Sequence, residues 1–211
     1  MTRLLPHGDT GQAFPIYITV VGGLLLLAFA FLAVGQATAN RNSAQTAADA
    51  AALAAALDTR DQLTDEWVAN VLDPTKWQDI LDGGGVAFTG CARASQLAAQ
   101  NDATVDCTPQ PGLSPPGYEV VATTDKSVGD SIVPGTENTH STERATAVIE
   151  PRCDFELPDE PPADEEPPAD DTDADVLPKL TCEDGVEWNL DPKDLTNLPK
   201  PEDLFDVHLA D

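Results

Sequence analysis

Four cysteines, Cys91, Cys107, Cys153 and Cys182, are the residues of this 211-residue chain whose type and spacing can do chemistry, and that chemistry is oxidative pairing. No two of them stand in the Cys-x-x-Cys spacing of a structural zinc site. An even number in a small acidic chain points instead to disulfides made in an oxidising compartment. Cys91 opens the stretch CARASQLAAQN, in which Cys91, Ala94, Leu97 and Ala98 share one helical face and Asn101 can end the helix. Ten helical residues climb about 15 Å and the extended return over 104–107 descends roughly 13 Å, which brings Cys107 back beside Cys91. Bridging Cys153 to Cys182 would loop the intervening residues outward and return Val186, Trp188, Leu190 and the terminal PEDLFDVHLAD to the domain. Geometry and proximity favour Cys91 with Cys107 and Cys153 with Cys182, while two other pairings stay formally open.

The remaining reactive side chains do not converge in sequence. His7, His140 and His208 lie far apart, and no HExxH, GxSxG, P-loop or dinucleotide fingerprint is present. Asp171, Asp173 and Asp175 resemble the start of a calcium loop, but Val176 replaces the needed Gly and Cys182 falls where the closing Glu belongs. Neighbouring acids are frequent, and in so acidic a chain they signal solvation. The expectation is no enzyme, no cofactor and no metal.

The elements that must position the cysteines are legible in charge and apolar patterning. With 37 acids against 11 bases the net charge is −26, which excludes an electrostatic grip on nucleic acid or anionic lipid and leaves protein, cation or sugar as partners. Residues 1–40 carry only Arg3 and Asp9, residues 41–153 carry 7 bases and 16 acids (−9), residues 154–178 carry 11 acids and no base (−11), and residues 179–211 carry 3 bases and 9 acids (−6). Residues 16–34, IYITVVGGLLLLAFAFLAV, reach roughly 28 Å as a helix, close to the hydrocarbon thickness of about 30 Å. Twelve of them are Leu, Ile, Val or Phe, together favouring insertion by about 5 kcal/mol before Gly and Thr are counted. Pro15 suits a first helical turn. The rival reading is a secretory signal cut at the Ala37-Thr38-Ala39 site, but the apolar stretch exceeds the usual length and the leading arm has little positive charge. The positive-inside count is a near tie between Arg3 with the amino terminus and Arg41 with Arg60. The cysteines break it, because all four follow the span.

The organisation read from this is a short cytoplasmic arm over 1–15, a transmembrane helix over 16–38 and an alanine-rich juxtamembrane helix over 39–58. A small extracytoplasmic α+β domain over 59–153, an acidic Pro-rich disordered spacer over 154–178 and a disulfide-docked tail over 179–211 follow. In the alanine-rich helix, Gly35, Ala39, Ser43, Ala47, Ala51 and Ala55 recur every four residues, a small-residue row that lets another helix approach, either a partner's or that of a second copy. Within the domain, residues 63–72 and 74–81 read as two short helices with Trp67, Val71, Trp77, Ile80 and Leu81 as core members, the second stopped by three glycines. Residues 118–124 and 142–150 read as strands, the latter with Ala145, Ala147 and Ile149 on one face and Thr142, Arg144, Thr146 and Glu150 on the other. In the spacer, EPPAD occurs twice, at 160 and 166, and like-charge repulsion with Pro stiffness keeps such a segment extended.

Gly11-Gln12 before an uncharged span, followed by the run Gln45-Thr46-Ala47-Ala48-Asp49-Ala50-Ala51-Ala52-Leu53-Ala54-Ala55-Ala56, resembles the amino-terminal segment of TadG-like proteins of Flp (tight-adherence) pilus assembly, particularly the short actinobacterial kind. The resemblance covers about residues 10–57 and implies a single-span envelope protein belonging to a pilus or type II-like secretion machine. A prepilin would be cut after a Gly with Glu five residues on, and Ile16 stands where that Glu belongs, so prepilin processing is not expected. Larger relatives carry a von Willebrand A-like module with a DxSxS metal site. Asp125-Lys126-Ser127-Val128-Gly129 has Gly where the second Ser is wanted, so that site is not expected either. The resulting expectation is a non-enzymatic, membrane-anchored accessory or minor component of a Flp/Tad-type apparatus, contacting the membrane and other pilus-assembly or envelope proteins through the alanine-rich helix. The alternatives are an independent cell-surface binding module and a secreted protein cleaved after Ala39.

Overall fold

A computed structural model of the chain describes residues 13–127, 138–157 and 177–210. The amino-terminal arm before residue 13, with His7, and the acidic spacer from 158 to 176, with Asp171, Asp173 and Asp175, lie outside the described residues, as do residues 128–137 and 211.

Helix α1 spans Ala13–Ala69, 57 residues and roughly 85 Å long. Neither Gly nor Pro interrupts it after Gly35. Where the sequence reading separates an alanine-rich helix ending near 58 from another over 63–72, the structure has one rod. The reason is a single buried stripe: Ala44, Ala48, Ala51, Ala55, Thr59, Leu63 and Trp67 follow one another at spacings of three or four, and all are buried. Small residues at the lower end and large ones at the upper end disguise its continuity.

After α1 come a 3-10 turn at Pro74–Lys76, then α2 (Trp77–Leu81) and α3 (Cys91–Gln100). The strands β1 (Ala103–Gln110), β2 (Gly117–Thr124), β3 (Thr142–Pro151), β4 (Cys153–Phe155), β5 (Leu180–Cys182) and β6 (Glu187–Trp188) follow, and α4 (Pro201–Leu204) leads into β7 (Phe205–Leu209). A four-stranded antiparallel sheet has the order β1-β2-β3-β7, and a smaller antiparallel one the order β4-β5-β6. The register sets Tyr118 opposite Ala147, Val120 opposite Ala145 and Ile149 opposite Val207, which makes one apolar face. The opposite face is wetter and carries the Arg144–Glu119 ion pair at 2.9 Å. Helices α1 and α3 cover the apolar face side by side, giving the expected α+β class as two layers.

Ala47, Ala48, Ala51, Ala52, Ala55 and Ala56 are all fully buried in this layer. Their methyl groups remove little apolar area each, but they let backbones meet. A Cβ on Gly90, just before α3, would lie 2.2 Å from the Ala55 carbonyl oxygen, so only glycine fits there. Higher up, the gap is filled by Trp67, Trp77 and Phe155, with ring centroids 5.2 Å apart in each successive pair. One polar knot crosses the layer. Tyr118 Oη shares a 2.7 Å hydrogen bond with Thr59 Oγ1 and accepts the Gly90 N–H at 3.0 Å, so β2, α1 and the start of α3 are fastened at one buried point.

Two disulfides close the domain. Cys91 at the start of α3 bonds to Cys107 in edge strand β1, with Cα atoms 5.6 Å apart, and Cys153 in β4 bonds to Cys182 directly opposite in β5. The tail docks through Leu204 and Phe205, both buried, and through β7, which completes the sheet beside β3. Of the three tail residues singled out from sequence, Leu190 is buried, Trp188 partly so, and Val186 is exposed.

The placement of the alanines predicts that Ala51→Glu or Ala55→Glu prevents the domain from folding, measured by loss of cooperative thermal unfolding, because an unpaired carboxylate would enter a dry layer. Tyr118→Phe orphans the Gly90 N–H and the Thr59 hydroxyl and should cost about 1–3 kcal/mol in a denaturant titration. Burial raises the Tyr118 phenol above its ordinary 10.0, assisted by the Asp58 charge and opposed by the Thr59 and Gly90 hydrogen bonds. Its contribution to stability is therefore complete below that value and is lost as pH climbs toward the folded pKa. The phenylalanine variant should lack this share of the alkaline decline. Replacing both Cys91 and Cys107 by Ser opens a loop of sequence separation 16 and should lower stability by about 3 kcal/mol.

Candidate functional site

The surface left unpartnered by the fold is the lower half of α1. Phe14, Ile16, Leu24, Leu26, Phe31 and Val34 point outward around the whole rod, and Phe31 reaches 78% exposure, so no part of the domain covers this stretch. It is long and apolar enough to cross a membrane. Its two threonine hydroxyls are satisfied within the helix: Thr19 Oγ1–H reaches the Pro15 and Ile16 carbonyls at 3.1 and 2.8 Å, and Thr38 Oγ1–H the Val34 carbonyl at 3.0 Å. That is what a helix without water around it requires.

Contact with the domain begins at a collar one turn above. Asn40 Nδ2–H donates to the Lys126 carbonyl at 3.3 Å, and Arg41 Nε–H to Glu143 Oε1 at 2.6 Å. Glu143 lies opposite Ala122, on the helix-facing side of β3, which is why this acid meets α1 instead of solvent. The Arg41 side chain is 73% exposed, so the pair aligns the sheet end with the helix and contributes at most about 1 kcal/mol. Nearby, Lys126 Nζ donates to Asp102 Oδ2 at 2.9 Å, and this hydrogen bond and charge raise the lysine pKa.

The small-residue row is split by the fold. Ala47, Ala51 and Ala55 are buried beneath the chain's own sheet and α3, while Gly35, Ala39 and Ser43 are exposed. The expectation that the upper half of the row receives a partner's helix is therefore corrected: those positions are occupied internally. The geometric reason is position along the rod: contact with the domain begins at Asn40 and Arg41, so Gly35 and Ala39 lie below it on a stretch exposed on every side, whereas Ala47, Ala51 and Ala55 lie under the sheet and α3.

The titratable groups serve turns and pairs. Asp73 and Asp194 are lowered, in each case mainly by a hydrogen bond from the threonine two residues on, Thr75 and Thr196. His140 Nδ1 lies 2.7 Å from the Thr124 carbonyl and His208 Nδ1 3.0 Å from Asp206 Oδ2, at separate places on the sheet. Among the described residues no three His, Cys, Asp or Glu side chains converge on a point that could hold a metal. A pocket of about 220 Å³ beside the second disulfide is lined by Arg152, Glu183, Trp188 and Asp203, and its cation is engaged by Glu183 at 3.0 Å and by the Glu202 carbonyl.

The Thr59–Tyr118–Gly90 knot and strand β7 escaped the sequence reading. The i+4 spacing from Ala55 through Thr59 to Leu63 is the signal that marks Thr59 as inward facing. β7 carried none of comparable strength, since FDVHL is too short to show its alternation.

No curated protein and no solved structure matches this chain. A family model described as Flp pilus-assembly TadE/G-like does match, over residues 11–58, which is less than half of the chain. Those residues take in the apolar span, the collar and the alanine face, and they end just before Thr59. The rod that enters the domain core is thus the part of this chain that resembles Flp pilus-assembly TadE/G-like proteins, which associates it with Flp/Tad pilus assembly.

Proposed function

We propose that the chain is a non-enzymatic, membrane-anchored accessory or minor component of a Flp/Tad-type pilus-assembly or secretion apparatus, with its amino terminus in the cytoplasm and its disulfide-tied domain outside. One observation carries this reading: within the family-matched segment, residues 13–58 belong to one unbroken helix whose lower half suits a bilayer and whose upper half is part of the domain's core. Such a helix transmits any displacement of the span to the sheet without a flexible joint. Four cysteines in two bonds support an oxidising exterior, and the engaged acids and histidines support a role in assembly over one in catalysis. The other pilus-assembly proteins are reached through the exposed part of α1, since its alanine face is filled from within.

The test replaces residues 16–38 with an unrelated apolar span of equal length in the full chain. Both forms should stay with membranes through alkaline carbonate washing. Only the natural span should co-purify with pilus-platform proteins from detergent extract and restore pili to a deletion strain. Equal pili and equal co-purification with either span would overturn this reading in favour of an independent cell-surface binding module.

A further inference from the structure

We infer that the open edge of β7 is a docking site for an extended, basic segment of another protein, which adds a further antiparallel strand beside Val207 and Leu209. The ladder with β3 shows which backbone groups are left over. Arg152 N–H donates to the Leu204 carbonyl and Ala210 N–H to the Thr146 carbonyl, so the even-numbered residues of β7 bond to β3. The N–H and C=O groups of Val207 and Leu209 therefore point away from the sheet, and among the described residues none of them has a hydrogen-bond partner. Edges of this kind are usually blunted by Lys, Pro or a bulge. The opposite edge, β1, is blunted: Pro109 has no N–H, and Cys107 is tied to α3. β7 has neither Lys nor Pro, and its register with β3 is continuous. Its two faces differ. Val207 and Leu209 are partly buried against the core, whereas Asp206 is exposed on the other face with the exposed Glu150 opposite it. A strand laid alongside fits with apolar side chains on the inner face and positive ones on the outer, where cross-strand pairs of opposite charge are favourable.

Geometry and charge select this occupant over the others. Two copies that paired β7 with β7 antiparallel would be related by a dyad normal to the sheet. Because α1 lies against the face of that sheet, such a dyad turns the two rods in opposite directions, which two spans of one membrane do not allow. This elimination rests on the anchored reading proposed above. Parallel pairing of the same two strands needs a one-residue offset that no two-fold axis supplies. Head-to-tail pairing of β7 with β1 of the next copy meets Pro109 and the tie to α3. The chain's own residues 154–178, with 11 acids and no base, would set like charges against Asp206 and Glu150. A basic strand from another chain meets none of these obstacles, and the net charge of −26 attracts it.

The full chain in a non-ionic detergent is titrated with a short acetylated and amidated peptide that alternates Val and Lys, and amide hydrogen exchange is read at Val207 and Leu209. Saturating peptide should slow both amides by about tenfold or more, and added salt should weaken the complex. N-methylation of the peptide's valines, whose N–H groups face β7, should abolish the protection, whereas N-methylation of its lysines should preserve it. Val207→Pro removes an edge donor without removing a ladder bond of the fold, and should lower peptide affinity by about tenfold. Asp206→Lys, at an exposed position, should lower it several-fold with thermal unfolding unchanged. Equal protection by a peptide alternating Val and Glu would overturn the basic partner. Protection by the valine-methylated peptide, unchanged affinity in both variants, or capture of the peptide without slowing of these two amides would overturn the edge as the site. A dimer whose Val207 and Leu209 amides are protected without peptide would overturn it in favour of a second copy. Membrane retention and pilus restoration are read on other samples, so failure here leaves the anchored accessory role standing.

Discussion

The constraint on which the rest of the structure depends is the close approach of one helix backbone to a sheet and to a second helix, made possible by a face of bare alanines. Ala47, Ala51 and Ala55 bury almost no area individually, yet a larger side chain at any of them would push α1 off β2, β3 and α3 together. Gly90 marks the tightest point of that contact from the other side. The alanine end of the core buries little apolar area, so the large side chains at the upper end, with the aromatic cluster and two covalent ties, stabilise the layer.

The same contact decides how the molecule behaves mechanically. Because the core stripe and the apolar stretch are segments of one helix, no hinge separates them among the described residues, and the sheet is aligned to the helix by the collar at Asn40 and Arg41. The Tyr118 knot adds direction to an otherwise featureless packing: alanine faces can slide, whereas hydrogen bonds of 2.7 and 3.0 Å to Thr59 and Gly90 specify one register of helix against sheet. The Cys91–Cys107 bond ties the edge strand β1 to α3, whereas Cys153–Cys182 is itself buried in the core where β4 meets β5.

Much of the domain was legible beforehand. The helix over Cys91–Gln100, the inward set Ala145, Ala147 and Ile149, and the burial of Trp67 and Trp77 all follow from periodicity of side chains that are large or clearly alternating. The alanine stripe was harder, because a residue that favours helices everywhere says nothing about which side of the helix is covered. Its meaning emerges only when the small residues are followed through Thr59 to Leu63 and Trp67, where size begins to report burial. The i+4 row looked like a surface for a partner because a linear reading does not show where along the rod the chain's own sheet and α3 begin to cover it.

The sequence by itself determined the membrane-length apolar segment, the disulfide-forming cysteines of the domain and the likeness to TadE/G segments, since these depend on composition and local pattern. Only the tertiary structure decided that the alanine face belongs to the chain's own core, that β7 closes the sheet beside β3, and that contact with the domain starts at Asn40. The physical reason is that local energies choose helix or strand, whereas the partner of a face is chosen by which distant surface fits it most closely, and that competition is settled among residues far apart in the chain.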